Sequence, residues 1–330
     1  MIRLCYPRGS DNVGDELNAW LWPALLGDIR HDTDIELLGI GTLLNEPFCR
    51  QLHAERRIAV LGTGAGYGAP PQLDGRWTVY ALRGPRTAAA LGLPANLAIA
   101  DSAYLLADLD WVGGRAEAQG GEVLVVPHHR SLPLLDWQAL CDRAGLAFLS
   151  PLLPADAFMA RLASARLVLA EAMHGAILAD VVRVPWRAFS FGRQFNLDKW
   201  LDWSDAFEID LDVQQLDGFY DPGYAGQDST GQIKHIVRGL KAKCCSYGFG
   251  KAKWRSITPP SWQVEHDTDR LAMALRVLAG HGGQLSDDSV FRHRVARLLS
   301  AVNALRTDLG AAPSQGLTGL PRDFFRGGLP

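Results

Sequence analysis

Short apolar runs, each followed by a segment of helical character, recur along most of the chain, and this alternation constrains the fold more than any other feature. It predicts parallel sheets with helices on both faces, because a parallel strand pair needs a crossover connection rather than a tight turn. In the first part, Ile2–Tyr6, Leu37–Ile40, Ile58–Gly62, Trp77–Leu82 and Leu97–Ala100 read as strands, with helices over Asp15–Leu26 and Leu43–Glu55. The alternation restarts with the strand Val123–Val126, a helix around Leu135–Ala144, the strand Leu146–Leu149 and a helix over Asp156–Ser164. The strand Arg166–Leu169, a helix beginning near Met173 and a strand near Arg187–Ser190 complete it.

Between Asp108 and Gly121 the pairs Gly113-Gly114 and Gly120-Gly121 stand among polar residues, a loop composition that predicts a domain boundary. With 330 residues, two domains can each bury a core. The expected division is residues 1–115, a first domain of parallel sheet and helices, and residues 116–245, a second. Residues 246–330 form a helical extension and tail, with helices over Thr268–Ala279 and Ser289–Leu309. The fold class is thus α/β, with two domains built on parallel sheets and with C-terminal helices.

The 33 basic and 36 acidic residues leave the chain mildly acidic, which argues against nucleic acid as a partner. The apolar run after Met1 is too short for a signal peptide, and no stretch approaches a membrane span, so a cytoplasmic protein is expected. Cys5, Cys49, Cys141, Cys244 and Cys245 show no C-x-x-C spacing, which predicts reduced thiols and neither a disulfide framework nor a zinc site.

In an open parallel sheet ligands bind beyond the carboxyl ends of the strands, so polar residues following apolar runs are the candidates. Asp11-Asn12-Val13-Gly14-Asp15 opens the first helix and reads either as a ligand-binding turn whose exposed amides meet an anion or hydroxyl, or as a plain helix start with Asp15 at the N-cap. The run Gly62-Thr63-Gly64-Ala65-Gly66-Tyr67-Gly68 offers backbone amides, including those of Gly64 and Gly66, to a phosphate or sugar, although it has neither Walker nor Rossmann spacing. Arg83 and Arg86 in Arg83-Gly84-Pro85-Arg86-Thr87 are placed to clamp an oxyanion, or lie on the surface. Asp101 and the pair His128-His129 also follow strands, and either can be an active-site member or structural.

The fifth candidate is Glu171-Ala172-Met173-His174-Gly175. Read as a helix start, it puts Glu171 and His174 on one face. His174 can then act as general acid or base, Glu171 can set its tautomer, and Gly175 leaves room for a ligand.

Taken in order, N-x-G-D, G-x-G-x-G, R-G-P-x-T, A-D-S, E-x-M-H-G-A-I-x-A-D and R-V-P-W, followed by Lys199-Trp200-Leu201-Asp202-Trp203, resemble the polysaccharide pyruvyl transferase family over about residues 9 to 205. The likeness is greatest to members acting in bacterial exopolysaccharide assembly. It implies a glycosyltransferase-like pair of Rossmann domains, of the GT-B kind, with the active site between them. It also implies transfer of the enolpyruvyl unit of phosphoenolpyruvate to two hydroxyls of one sugar, giving a cyclic pyruvate ketal and phosphate without a cofactor. On this resemblance Arg83, Arg86, Lys199, His174 and Gly175 hold the donor. His174, Glu171 and Arg83 carry the chemistry, and Asn12, Asp15, Gly64, Gly66, Asp101 and His128 face the acceptor. Many relatives carry an arginine two residues before the motif histidine. Ala172 stands there instead, a form shared with the succinoglycan and xanthan branch, and Arg187 or Arg193 is expected to supply the missing cation.

Lys234 to Arg255 holds seven Lys or Arg residues, and no acid occurs between Asp228 and Glu265. With Tyr247, Phe249, Trp254 and Trp262 interleaved, this stretch suits either an anionic membrane surface carrying a lipid-linked acceptor or a solvated loop. A glycosyltransferase using a nucleotide sugar and a non-catalytic glycan-binding protein share the architecture and stay open. No metal ligand set is visible, so activity in EDTA is expected.

Overall fold

The computed structural model describes residues 2–9, 12–27, 34–109, 120–192, 194–218, 220 and 259–317. Strands β1 (Ile2–Leu4), β2 (Ile35–Leu38), β3 (Arg57–Leu61) and β4 (Trp77–Ala81) lie side by side in chain order, all parallel. Alternate side chains divide between the two faces, as the strand period dictates. Leu37, Ala59, Leu61 and Ala81 join a core with Leu17 and Leu21 of helix α1 (Val13–Leu26). Leu38, Ile58 and Val60 point the other way, onto Leu43, Leu44, Phe48 of helix α2 (Glu46–Cys49) and Ala88 of helix α3 (Pro85–Ala90).

The second sheet contains β5 (Val123–Val126), β6 (Ala147–Phe148), β7 (Leu167–Ala170), β8 (Trp186–Ser190) and β9 (Val213–Gln215), in the order β6-β5-β7-β8-β9 and again all parallel. Every residue of β5 and β7 is buried, because helices cover both faces; hence their unbroken apolar sequences. The connecting helices are α4 (Trp137–Ala144), α5 (Ala155–Ala163), α6 (Met173–Val181) and α7 (Leu197–Ala206). Asp136 caps α4 by accepting from Ala139 N, and Gly145 ends it in the left-handed conformation. Strand order reverses after β6, so the crevice between the carboxyl ends of β5 and β7 is a topological switch point, where doubly wound folds bind ligands.

The two C-terminal helices divide between the sheets. Helix α8 (Ser261–Gly280) packs on α4 and β7, whereas α9 (Asp288–Asp308) returns to β3, β4 and the 3₁₀ segment Ser102–Asp108. One continuous apolar cluster runs from α1 through Tyr104 and Leu105 to Phe158 of α5 and Ile177 of α6, so the two sheets share a core. Both expected domain boundaries, 115/116 and 245/246, lie outside the described residues, as do Asp11, Arg193, Cys244, Cys245 and the basic stretch Lys234 to Arg255. Cys5, Cys49 and Cys141 are free thiols. Among the described residues, no helix is long and apolar enough to cross a membrane.

Two expected elements are corrected. The helix expected over Leu43–Glu55 shrinks to α2. Residues 43 and 44 instead donate their backbone N–H groups to Thr63 Oγ1 and Gly64 O, and Asn45 caps the helix by accepting from Phe48 N. The strand expected at Leu97–Ala100 is reduced to a 3₁₀ turn, Ala95–Leu97, and one parallel bridge between Leu82 and Ala98.

Candidate active site

The carboxyl ends of β5 and β7 stand in register, Val126 beside Ala170, so the residues after each strand emerge side by side. Glu171 N and Ala172 N both donate to Val126 O, which prolongs the strand geometry and delays the helix until Met173, with Ala172 as N-cap. Glu171 therefore lies outside the helix and does not share a face with His174. Its buried carboxylate accepts from His128 N at 2.9 Å, Ser131 Oγ at 2.9 Å and Gly192 N, joining the ends of β5, β7 and β8. Burial raises its pKa, and these hydrogen bonds partly restore the charged form.

The carboxylate beside His174 is Asp101. Its Oδ2 lies 3.6 Å from His174 Nε2, Asp101 is fully buried, and neither atom has a hydrogen-bond partner. The other oxygen of Asp101 is engaged, accepting from Ala103 N to cap the 3₁₀ segment. The imidazole lies against bare backbone of α1: a Cβ on Gly14 would stand 2.1 Å from His174 Nδ1. The far end of α6 is anchored too, since buried Asp180 accepts from Tyr104 Oη at 2.9 Å and from Ser286 Oγ at 2.6 Å.

His174 opens into a cavity of about 510 Å³. Its walls come from both sheets: Asn12 and Asp15 after β1, Thr42 after β2, Tyr67 after β3, His128, His129 and Arg130 after β5, and Asn196 and Lys199 after β8. Arg130 and Lys199 are the arginine and lysine side chains of this lining among the described residues. His128 and His129 stack with ring centroids 4.2 Å apart. Burial is the main cause that pushes the His128 pKa down to about 3, helped by the charges of His129, Lys199 and Arg130; His129 is lowered as well, again mainly by burial. Lys199 Nζ donates to Tyr67 Oη at 2.8 Å and lies 4.6 Å from the centre of that ring, and desolvation lowers its pKa.

Several sequence expectations about the site are corrected by this arrangement. Arg83 does not face the cavity. It is fully buried, with Nε on Asp202 Oδ2 at 3.0 Å, one terminal nitrogen on Thr42 Oγ1 at 2.9 Å and the other on Ala65 O at 2.6 Å. Arg86 pairs with Asp205 at 2.8 Å, so the two arginines tie α3 to α7 instead of clamping an anion. The glycines of the 62–68 run make room for protein side chains: Gly64 for the Arg83 guanidinium and Gly66, at φ 151°, for the stem of Lys199. Gly175 serves close packing of α6 on β5, where a Cβ would meet Val126 Cγ1 at 2.9 Å. Arg187 is spent on Gly282 O and Asp212. Asn12, Asp15, His128, Glu171, His174 and Lys199 do converge on the cavity, Asp101 stands behind His174, and the side chains of Tyr67, Arg130 and Asn196 join as members that sequence reasoning had not assigned. No group of three or more potential metal ligands occurs among the described residues.

Fold and site together define a parallel α/β protein with two sheets, whose cavity lies beyond the strand ends of both and combines a carboxylate–histidine pair with two fixed cations. Over 201 residues the chain is 37% identical to the succinoglycan biosynthesis protein ExoV of Rhizobium meliloti (strain 1021). The match covers 60% of this chain and 62% of ExoV, so the chain spans less than two thirds of that relative. No family model matches the chain. No solved structure matches it significantly.

Proposed function

We propose that the chain is a polysaccharide pyruvyl transferase with a GT-B-like arrangement of its two sheets. It transfers the enolpyruvyl unit of phosphoenolpyruvate to two hydroxyls of one sugar in an exopolysaccharide or its lipid-linked repeat unit, forming a cyclic ketal and releasing phosphate. The observation that carries this reading is the His174–Asp101 pair at the wall of a cavity that also holds Arg130 and Lys199. The donor carries a phosphate and a carboxylate and needs fixed cations, which these two side chains supply. The reaction begins when a proton reaches the donor's methylene carbon, and a positioned imidazole is suited to deliver it. Asp101, 3.6 Å from Nε2, is placed to orient the ring and to stabilise its charged form during the transfer. Similarity to a protein of succinoglycan biosynthesis supports a saccharide acceptor.

The test is phosphate release from phosphoenolpyruvate with 4-nitrophenyl glycosides of glucose, galactose and mannose as acceptors, the product being examined by mass spectrometry for a pyruvate ketal. Acceptor-dependent release is expected, with His174→Ala slower by about 100-fold or more. Release that ignores every acceptor, or a His174→Ala protein as active as the unaltered one, would overturn the assignment.

A further inference from the structure

Ketal formation moves more protons than one histidine can hold at once. Two hydroxyl protons leave the sugar; one proton must end on the methylene carbon, which becomes a methyl group, and one on the phosphate that departs. If His174 protonates the carbon in the same step in which the first hydroxyl adds, it cannot also take that hydroxyl's proton, and a second group must.

A second pair of proton-carrying groups reaches the same cavity from elements other than those carrying His174 and Asp101. Tyr67, 43% exposed, stands in the loop after β3, and Lys199 stands in the first turns of α7. Lys199 Nζ meets Tyr67 Oη at 2.8 Å. The contact is built rather than incidental. Gly66 gives up its side chain so that the stem of Lys199 can cross its backbone, and Asn196 Nδ2 donates to Gly66 O, fastening the tyrosine loop to the N-cap of α7. The Lys199 N–H occupies one lone pair of the phenol oxygen and leaves the phenol O–H and a second lone pair to the cavity, so Tyr67 can take a proton from a sugar hydroxyl while passing its own on.

Resting on the pyruvyl transfer argued above, we propose that Tyr67, held by Lys199, is a second catalytic residue, which takes the proton of the first acceptor hydroxyl and returns it to the departing phosphate. The steps balance. His174 protonates the methylene carbon, and the first hydroxyl oxygen bonds to the adjacent carbon as its proton passes to Tyr67 Oη, whose own proton moves to a phosphate oxygen of the donor. The carbon–oxygen bond to phosphate then breaks with its electron pair on the phosphate, which leaves carrying that proton, as the second hydroxyl oxygen bonds to the same carbon and its proton passes to His174. Both groups end as they began.

Tyr67→Phe removes only the hydroxyl and keeps the ring under Lys199, so it separates chemistry from packing. Phosphate release from phosphoenolpyruvate is measured with the same glycosides. The expected result is a kcat lowered more than about tenfold with a donor KM within about threefold of the unaltered protein. Lys199→Met is expected to lower kcat as well, and Lys199→Arg to restore it in part. A smaller fall in kcat in Tyr67→Phe overturns the role of Tyr67 while leaving pyruvyl transfer standing. Absence of phosphate release in the unaltered protein overturns pyruvyl transfer itself.

Discussion

Asp101 Oδ2 faces His174 Nε2 at 3.6 Å, and each is the buried polar atom that the other lacks as a partner. Buried polar atoms without partners are costly, and one pointing at another marks a site rather than a packing accident. Asp101→Asn keeps the oxygen that caps the 3₁₀ segment through Ala103 N and replaces the other with an amide, which can present the wrong group to the imidazole. Turnover is expected to fall about 100-fold with the fold intact. Circular dichroism and steady-state kinetics check both halves of that statement, and an Asn variant with unchanged kcat would remove Asp101 from the mechanism.

Gly14 is expected to control activity without controlling stability. A methyl group there collides with the His174 imidazole, 2.1 Å from Nδ1 and 2.6 Å from Cγ, so the whole ring must turn aside, while alanine in α1 gains helix propensity of up to about 1 kcal/mol. Gly14→Ala should therefore lower kcat strongly, with a Tm within a few degrees of the unaltered protein. A loss of Tm in proportion to the loss of activity would show that the glycine serves the fold instead.

How far the sequence foretold this depends on whether local pattern decided the outcome. Strands β5 and β7 were legible because burial on both faces leaves only apolar residues, and α1 because its periodic side chains meet one core. Helix α7 was not, although Trp200, Trp203 and Ala206 bury one face of it, since its start is set by Asn196 accepting from Lys199 N, and β9 is a three-residue edge strand without an apolar run. In the site, His174 and Lys199 were legible by type and place. Two partnerships were not. Glu171 looked like the partner of His174 from their spacing, but Val126 O takes both N–H groups before the helix and carries Glu171 away, while Asp101 arrives from another sheet. The glycine run looked like a phosphate cradle because nothing local reveals that Arg83 and Lys199 already occupy its hollows. Arg130 had one available signal, its place directly after His128-His129 beyond a strand.

Arg130 is exposed at the cavity and is expected to contribute to donor binding more than to turnover. Arg130→Met should raise the KM for phosphoenolpyruvate about tenfold, the loss of one charged hydrogen bond, with kcat changed less than about threefold. The KM of the unaltered protein should rise with added salt, and that dependence should weaken in the variant. An equal fall in kcat and kcat/KM would move Arg130 from binding to the transition state.

Arg83 is expected to act through the fold. Its guanidinium and the carboxylate of Asp202 are both buried, and Asp202 also accepts from Thr87 N at 2.8 Å and Thr87 Oγ1 at 2.6 Å. Removing either member strands the other, at a cost on the order of 3 kcal/mol. Arg83→Met and Asp202→Asn should each lower the denaturant midpoint, and the double variant should lose less than the sum of the two. The donor KM of whatever remains folded should stay near that of the unaltered protein. A stable Arg83→Met protein with a raised donor KM would return Arg83 to the clamp expected from its sequence.

His128 makes stability depend on pH with a definite sign. Its pKa in the folded chain is about 3, against an ordinary 6.5, chiefly because burial disfavours the charged ring. Between those values the unfolded chain holds a proton that the folded chain refuses, so the contribution is present in full above about pH 6.5 and is lost as pH falls toward 3. His129, lowered in the same direction, adds to the effect. His128→Asn retains a side-chain acceptor for Arg130 N, which His128 Nδ1 now serves at 3.2 Å, and removes the titration. Denaturant unfolding of both proteins between about pH 7 and pH 4 should show the variant losing stability less steeply, by up to about 1.4 kcal/mol per pH unit. Carboxylates titrate alike in the two proteins and cancel in the difference, so parallel curves would mean that His128 is protonated as readily in the fold as outside it.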